Sequence, residues 1–225
     1  MLRLIVNHIG NVYFFGALIC AITMSTAHGN ESWTLYKSNK WLEIHYKKLP
    51  NGLLQVKGQA RLSGAVTKSV IHALTDTESI PTWVSNVRSV TVLAQPEPNQ
   101  SLVYTKLNLP WPVADREMLT LSCFSQEEEN KYVLKIRSAA SGSRAKSDLQ
   151  VTDVDIKWTF LEYASDLHIT YTAQARLNGS VPNWIANIAS LKNTRNMLQS
   201  LRKKLSESPD VLSEWTLPPG DCDGF

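Results

Sequence analysis

Histidine, serine and cysteine most often carry metal, acid–base or nucleophilic chemistry, and their spacing in this chain supports none of these. Beyond the first 29 residues the histidines are His45, His72 and His168. No H-x-x-x-H or H-E-x-x-H pattern joins them, so a hydrolytic metal site is not indicated. His168 falls on the polar side of an alternating strand, His72 on a mostly solvated helix and His45 in an early strand, so each reads as a surface or structural residue. Ser141-Gly142-Ser143 lacks the spacing of a nucleophile elbow. Cys123 and Cys222 belong to no C-x-x-C unit, which argues against a zinc site or a dithiol redox centre. In an oxidising compartment the two could pair and tether the tail to the body. Cys123 also sits on the apolar, odd-numbered face of a strand, where a buried free thiol fits equally well. No catalytic residue, metal or cofactor is expected.

The residues left to do the work are apolar, and their periodicity defines the elements that hold them. Val154, Ile156, Trp158 and Phe160 alternate with Asp155, Lys157 and Thr159. Leu167, Ile169, Tyr171, Ala173, Ala175 and Leu177 alternate with His168, Thr170, Thr172, Gln174 and Arg176. Such alternation turns one strand face to an apolar interior and the other to water. Shorter strands are predicted over 33–39, 41–48, 53–62, 90–94, 102–109, 118–124 and 132–138, with a helix over about 65–74. A polar loop is read at 139–149. The longest helix is predicted from Val181 to Leu205, with Ser180 as N-cap and Pro182 in the first turn. Trp184, Ile188, Leu191, Leu198, Leu201 and Leu205 form its stripe. The fold class is α+β: a curved antiparallel sheet against a long terminal helix.

Composition narrows the partners. A formal net charge of +3 over 225 residues is too small for electrostatic binding to nucleic acid. Arg202, Lys203 and Lys204 form the densest basic cluster, placed where cations favour a helix C-terminus or could meet an anionic membrane. In the first 29 residues Arg3 is the one charged side chain, and an apolar stretch runs from Val12 to Ile22 before Ser25-Thr26-Ala27. That pattern predicts a signal peptide over 1–29, followed by a domain over 30–208 and an extended tail over 209–225. Cys20 is a poor lipoprotein site because bulky Ile19 precedes it. The expected location is the periplasm or the extracellular space. Asn30, Asn99 and Asn178 begin glycosylation sequons, which matter only on a eukaryotic secretory route.

Three segments carry a resemblance. Leu109-Pro110-Trp111-Pro112-Val113-Ala114-Asp115-Arg116-Glu117-Met118 resembles the loop and following strand of START (steroidogenic acute regulatory protein-related lipid transfer) domains. Gly179 through Pro182-Asn183-Trp184-Ile185-Ala186-Asn187 to Leu201-Arg202-Lys203 is similar to the family's terminal helix. Pro81-Thr82-Trp83-Val84-Ser85-Asn86-Val87 matches a third, weaker segment. Together they span about Trp33 to Leu205 in the family's order, with the character of a bacterial exported member.

The resemblance implies a helix-grip fold with an internal apolar cavity that binds one lipid (a sterol, phospholipid or fatty acyl compound) without catalysis, as a monomer touching membranes transiently. Each methylene withdrawn from water gains about 0.8 kcal/mol, so a carrier must offer an enclosure as apolar as the bilayer it replaces. Candidate lining residues are Trp83, Tyr104, Trp158, Tyr171, Trp184, Ile188 and Leu191, each of which could instead fill a solid core. Arg116 matches an inward-pointing family arginine whose acidic partner is replaced here by Ser89. It is therefore expected to meet a phosphate, carboxylate or carbonyl of the ligand, unless it is exposed or paired with Asp115 or Glu117. Trp111 and Pro112 are the expected gate, with Trp111 packed beneath it in preference to dipping into a membrane. The alternatives are a polyketide cyclase-like cavity enzyme and a lipid-responsive sensor that uses the tail, with Trp215 and Pro218-Pro219, as a docking segment.

Overall fold

The computed structural model describes residues 32–111, 113–139, 149–207 and 216–225. The expected signal peptide, Pro112, Ser141-Gly142-Ser143 and Trp215 lie outside the described residues. The body belongs to one compact unit, Glu31–Phe225.

Among the described residues, nine strands form a single curved sheet. They are β1 (Thr34–Ser38), β2 (Leu42–Lys48), β3 (Leu54–Ser63), β4 (Val87–Ala94), β5 (Gln100–Leu107), β6 (Arg116–Glu128), β7 (Lys131–Ser138), β8 (Gln150–Tyr163) and β9 (Asp166–Leu177). Their order is β1-β2-β3-β9-β8-β7-β6-β5-β4, with neighbours antiparallel. One short parallel pairing adds Glu117 and Met118 of β6 to Gln150 and Val151 of β8. Helices α1 (Thr67–Thr75) and α2 (Ile80–Trp83) connect β3 to β4, and α3 (Asn183–Glu207) follows β9.

The alternation read in β8 and β9 is the alternation of burial. Val154, Trp158, Phe160, Leu167, Ile169 and Tyr171 are buried, while Asp155, Lys157 and His168 are exposed. β8 nevertheless begins four residues before the clear pattern. Its register with β9 shifts between Thr152 and Asp155, where Asp153 has φ 51°. A bulge interrupts period-two alternation, so the strand's first turn of pattern is hidden from sequence. The helix also starts later than expected. Pro182 O accepts from Ile185 N and Ala186 N, so the chain enters α3 at Pro182 and not at Ser180.

The solid core occupies one end of the grip. Leu198 and Leu201 of α3 pack with Leu42, Ile44, Val70, Ile71, Phe160 and Ile169. At Gly58 on β3 helix and sheet come close: a Cβ there would collide with Leu198 Cδ1 and lie 3.3 Å from Thr194 Cγ2. Close approach of this kind requires glycine.

The end of the chain is not free. Cys123 of β6 and Cys222 are joined by a disulfide, so the pairing left open by the sequence exists. Asn99 donates through Nδ2 to Phe124 O at 2.7 Å and to Asp221 O at 2.8 Å. Phe225 lies under the Arg137 guanidinium, 4.4 Å from ring centre to Cζ. Residues 216–225, read from sequence as part of an extended tail, are thus bound to the sheet. Asn99, which begins one of the sequons, is buried beneath them.

Candidate functional site: an apolar cavity under the terminal helix

Beyond Gly58 the helix and sheet diverge, and a cavity of about 480 Å³ opens between them. Its wall is built from small side chains at positions where the core end carries large ones. Ala173, Ala175 and Leu177 continue the inward face of β9 past Tyr171, while Ala186, Ala189 and Ser190 continue the α3 face before Leu191. Ile156, Val151, Met118, Leu107 and Val56 complete the sheet side. The volume falls within the range, about 300–1,000 Å³, of pockets that enclose one small ligand.

The three segments that carried the resemblance meet at this cavity. Val84, Ser85, Asn86 and Val87 come from segment 81–87, Leu109, Pro110, Trp111 and Val113 from segment 109–118, and Trp184, Ile185, Ile188, Ala189 and Met197 among others from the terminal-helix segment. Polar bonds hold them in place. Asn86 adopts φ 65°, donates through Nδ2 to Asn193 Oδ1 at 3.2 Å, and accepts at its carbonyl from Asn108 N at 2.9 Å. It thereby ties its own segment to the terminal helix and to the residue just before Leu109. Asn187 donates through Nδ2 to Gly52 O at 3.1 Å and accepts at Oδ1 from Leu54 N at 3.0 Å, while Asn183 Nδ2 donates to Asn51 O at 3.1 Å. Two amides thus pin the first turns of α3 to the β2–β3 turn. Sequence reading missed these asparagines as positioning residues, although Asn187 stands in the quoted helix pattern.

The expected lining residues separate into two groups. Tyr171, Trp184 and Ile188 line the cavity, as does Trp111, the residue expected at the gate. Trp158 and Leu191 belong to the solid core. Trp158 is buried, with its ring 5.9 Å from Phe160 and 4.6 Å from Tyr171. Trp83 packs against the core from its edge, with Nε1 buried and unpartnered among the described residues. Tyr104 is half-buried on β5, where Lys106 Nζ lies 5.8 Å from its ring. Neither lines the cavity. Large aromatics fill space, whereas alanines leave it, and the sequence reading weighed only the former.

Arg116 is buried as expected, yet it stands outside the cavity wall. Its Nη1 donates to Ala114 O at 2.8 Å and Asp115 O at 3.2 Å, and Nη2 donates to Asn178 O at 3.2 Å. Main-chain carbonyls thus take the place of the missing carboxylate, and Asp115 turns instead to Arg88 at 3.9 Å. The favoured placement of Trp111 is overturned. It is 92 % exposed, because the turn closed by Val113 N on Pro110 O at 3.1 Å carries its ring outward.

One polar group stands out on the wall. Tyr171 is buried against Trp158, and that burial alone pushes its hydroxyl above the ordinary tyrosine range. It therefore stays protonated, able to donate or accept one hydrogen bond.

Solved structures share this architecture. The STAR-related lipid transfer protein of Xanthomonas axonopodis superposes with a TM-score of 0.68 at 21% identity, covering 77% of this chain and 98% of that one. Human StAR-related lipid transfer protein 5 gives 0.70 at 9% identity, covering 81% and 90%. An uncharacterized protein of Pseudomonas aeruginosa is 20% identical over 176 residues, covering 76% of this chain and 86% of its own length. Residues 16–149, more than half of the sequence, match the START domain. With its nine-stranded grip around a terminal helix and its cavity walled by the three recurring segments, this chain belongs to the START domain family.

Proposed function

We infer that the chain is an exported, non-enzymatic carrier that takes one lipid into this cavity and moves it between membranes as a monomer. The observation that carries the reading is the cavity wall itself, apolar over most of its surface and placed where α3 leaves the sheet. Moving a 16-carbon chain into it removes roughly 13 kcal/mol of exposure to water, which is the force a carrier needs. Trp111, 92 % exposed, and Trp184, 65 % exposed, stand at the cavity and suit the interface of a bilayer. No histidine, cysteine or carboxylate lines the cavity among the described residues, which favours binding over catalysis.

Export rests on the charge and apolar pattern of residues 1–29. The test of transfer uses donor vesicles carrying a pyrene-labelled lipid and unlabelled acceptors. The mature chain is expected to accelerate transfer, and Trp111→Ala with Trp184→Ala to slow it. A chain that takes up no lipid overturns the reading.

A further inference from the structure

The polar groups of the cavity wall are mostly committed to one another. Ser190 Oγ donates to Ala186 O at 2.9 Å, Asn86 pairs with Asn193, and Gln174 Oε1 accepts from Gln55 Nε2 at 3.5 Å. Lys192 is exposed on the outer part of α3. Two hydroxyl-bearing residues differ from these. Tyr171 is 9 % exposed and Thr194 5 %, both lie on the wall, and neither hydroxyl makes a hydrogen bond among the described residues or is among the fully buried polar atoms, so each opens onto the cavity.

Their position is the inner end of the cavity. Tyr171 and Val56 belong both to the wall and to the solid core. Tyr171 lies opposite Gly58 in the β3–β9 ladder, and Gly58 is the glycine that faces Thr194 and Leu198. A hydroxyl held in an apolar wall is costly unless something bonds to it. A charged group brought to the same depth meets neither a carboxylate nor a buried cation on the wall among the described residues, and an unpaired buried charge costs far more than a hydroxyl. Arg116 stands outside the wall, where both terminal nitrogens of its guanidinium are occupied by carbonyls and its buried Nε has no partner among the described residues.

We propose that the cavity selects an uncharged lipid that carries a hydroxyl or carbonyl, seated head-inward with that group bonded to the Tyr171 hydroxyl. This rests on the lipid-carrier reading and adds the ligand's charge and orientation to it. The protonated phenol suits a ligand oxygen as acceptor or donor alike.

The experiment offers the purified full chain 1-hexadecanol, hexadecyl phosphate and hexadecane in equal amounts from cyclodextrin, and reads adducts by native mass spectrometry. The alcohol is expected to load about tenfold over the phosphate, and Tyr171→Phe to lower its occupancy about three- to tenfold with hexadecane loading unchanged. Loading of the phosphate as readily as the alcohol, or an alcohol adduct unaffected by Tyr171→Phe, overturns the selection while leaving a lipid carrier. Loading of none of the three overturns the carrier reading and the selection together.

Discussion

The Trp158 ring meets Tyr171 edge to face, centroids 4.6 Å apart at an interplanar angle of 63°, across the β8–β9 ladder in which the two residues are paired. On one side of this pair lies packed core and on the other the cavity. Trp158 thus fixes the ring that closes the inner end. Trp158→Ala should lower unfolding free energy by about 3–5 kcal/mol in urea titration. It should also weaken ligand loading more than the stability loss explains, whereas Trp158→Phe retains most of both.

The alanines are the sharpest probe of the cavity. Ala189→Trp or Ala175→Phe places a large side chain into open space instead of packed core. Either variant should stay folded, with stability changed by less than about 2 kcal/mol, yet lose lipid adducts in native mass spectrometry. A variant that keeps its ligand would show the cavity is not the binding site.

Asn187 joins two backbone groups of the β2–β3 turn to α3. Asn187→Ala leaves Leu54 N and Gly52 O without that partner, at a cost of about 1–3 kcal/mol. Hydrogen exchange should show the Leu54 amide and the first turns of α3 losing protection, with the Leu198–Leu201 end unchanged.

Much of this architecture was legible in sequence because alternation and helical stripe report burial directly. The strands from Leu42 to Leu177 follow from them, as does the terminal helix, expected to Leu205 and observed to Glu207. What escaped was what those patterns do not encode. The bulge at Asp153 hid the start of β8. Core and cavity wall are both apolar, so Trp158 and Tyr171 looked equivalent. The useful signal was residue size along one stripe: Ala173 and Ala175 follow Ile169 and Tyr171, and Ala186 and Ala189 precede Leu198 and Leu201. Arg116 was read through a missing carboxylate, while its actual partners are carbonyls, which no side-chain pattern reveals.

The disulfide between Cys123 and Cys222 spans 99 residues. Cys222→Ala should release the terminal segment, lower stability by about 2–4 kcal/mol, and expose Asn99. Urea titration of the two proteins under oxidising conditions checks this, and reducing agent should bring the native protein to the variant's midpoint.

Burial raises the Tyr171 hydroxyl pKa in the folded state above the unfolded value, about 10. A raised pKa contributes stability that is fully present below the unfolded value and is lost as pH climbs from there toward the folded value. The urea midpoint of the native protein should therefore fall between pH 9 and pH 11 (an interval around the ordinary tyrosine value of about 10) more steeply than that of Tyr171→Phe.

The central claim, that this cavity holds one lipid, is tested most directly by native mass spectrometry of the mature protein purified gently from its own host, followed by denaturing release of whatever is bound. The account predicts a single stoichiometric adduct that is an uncharged, oxygen-bearing lipid and is missing from Ala189→Trp. A protein that emerges empty, and takes up neither sterol, fatty acyl compound nor phospholipid afterwards, would contradict it.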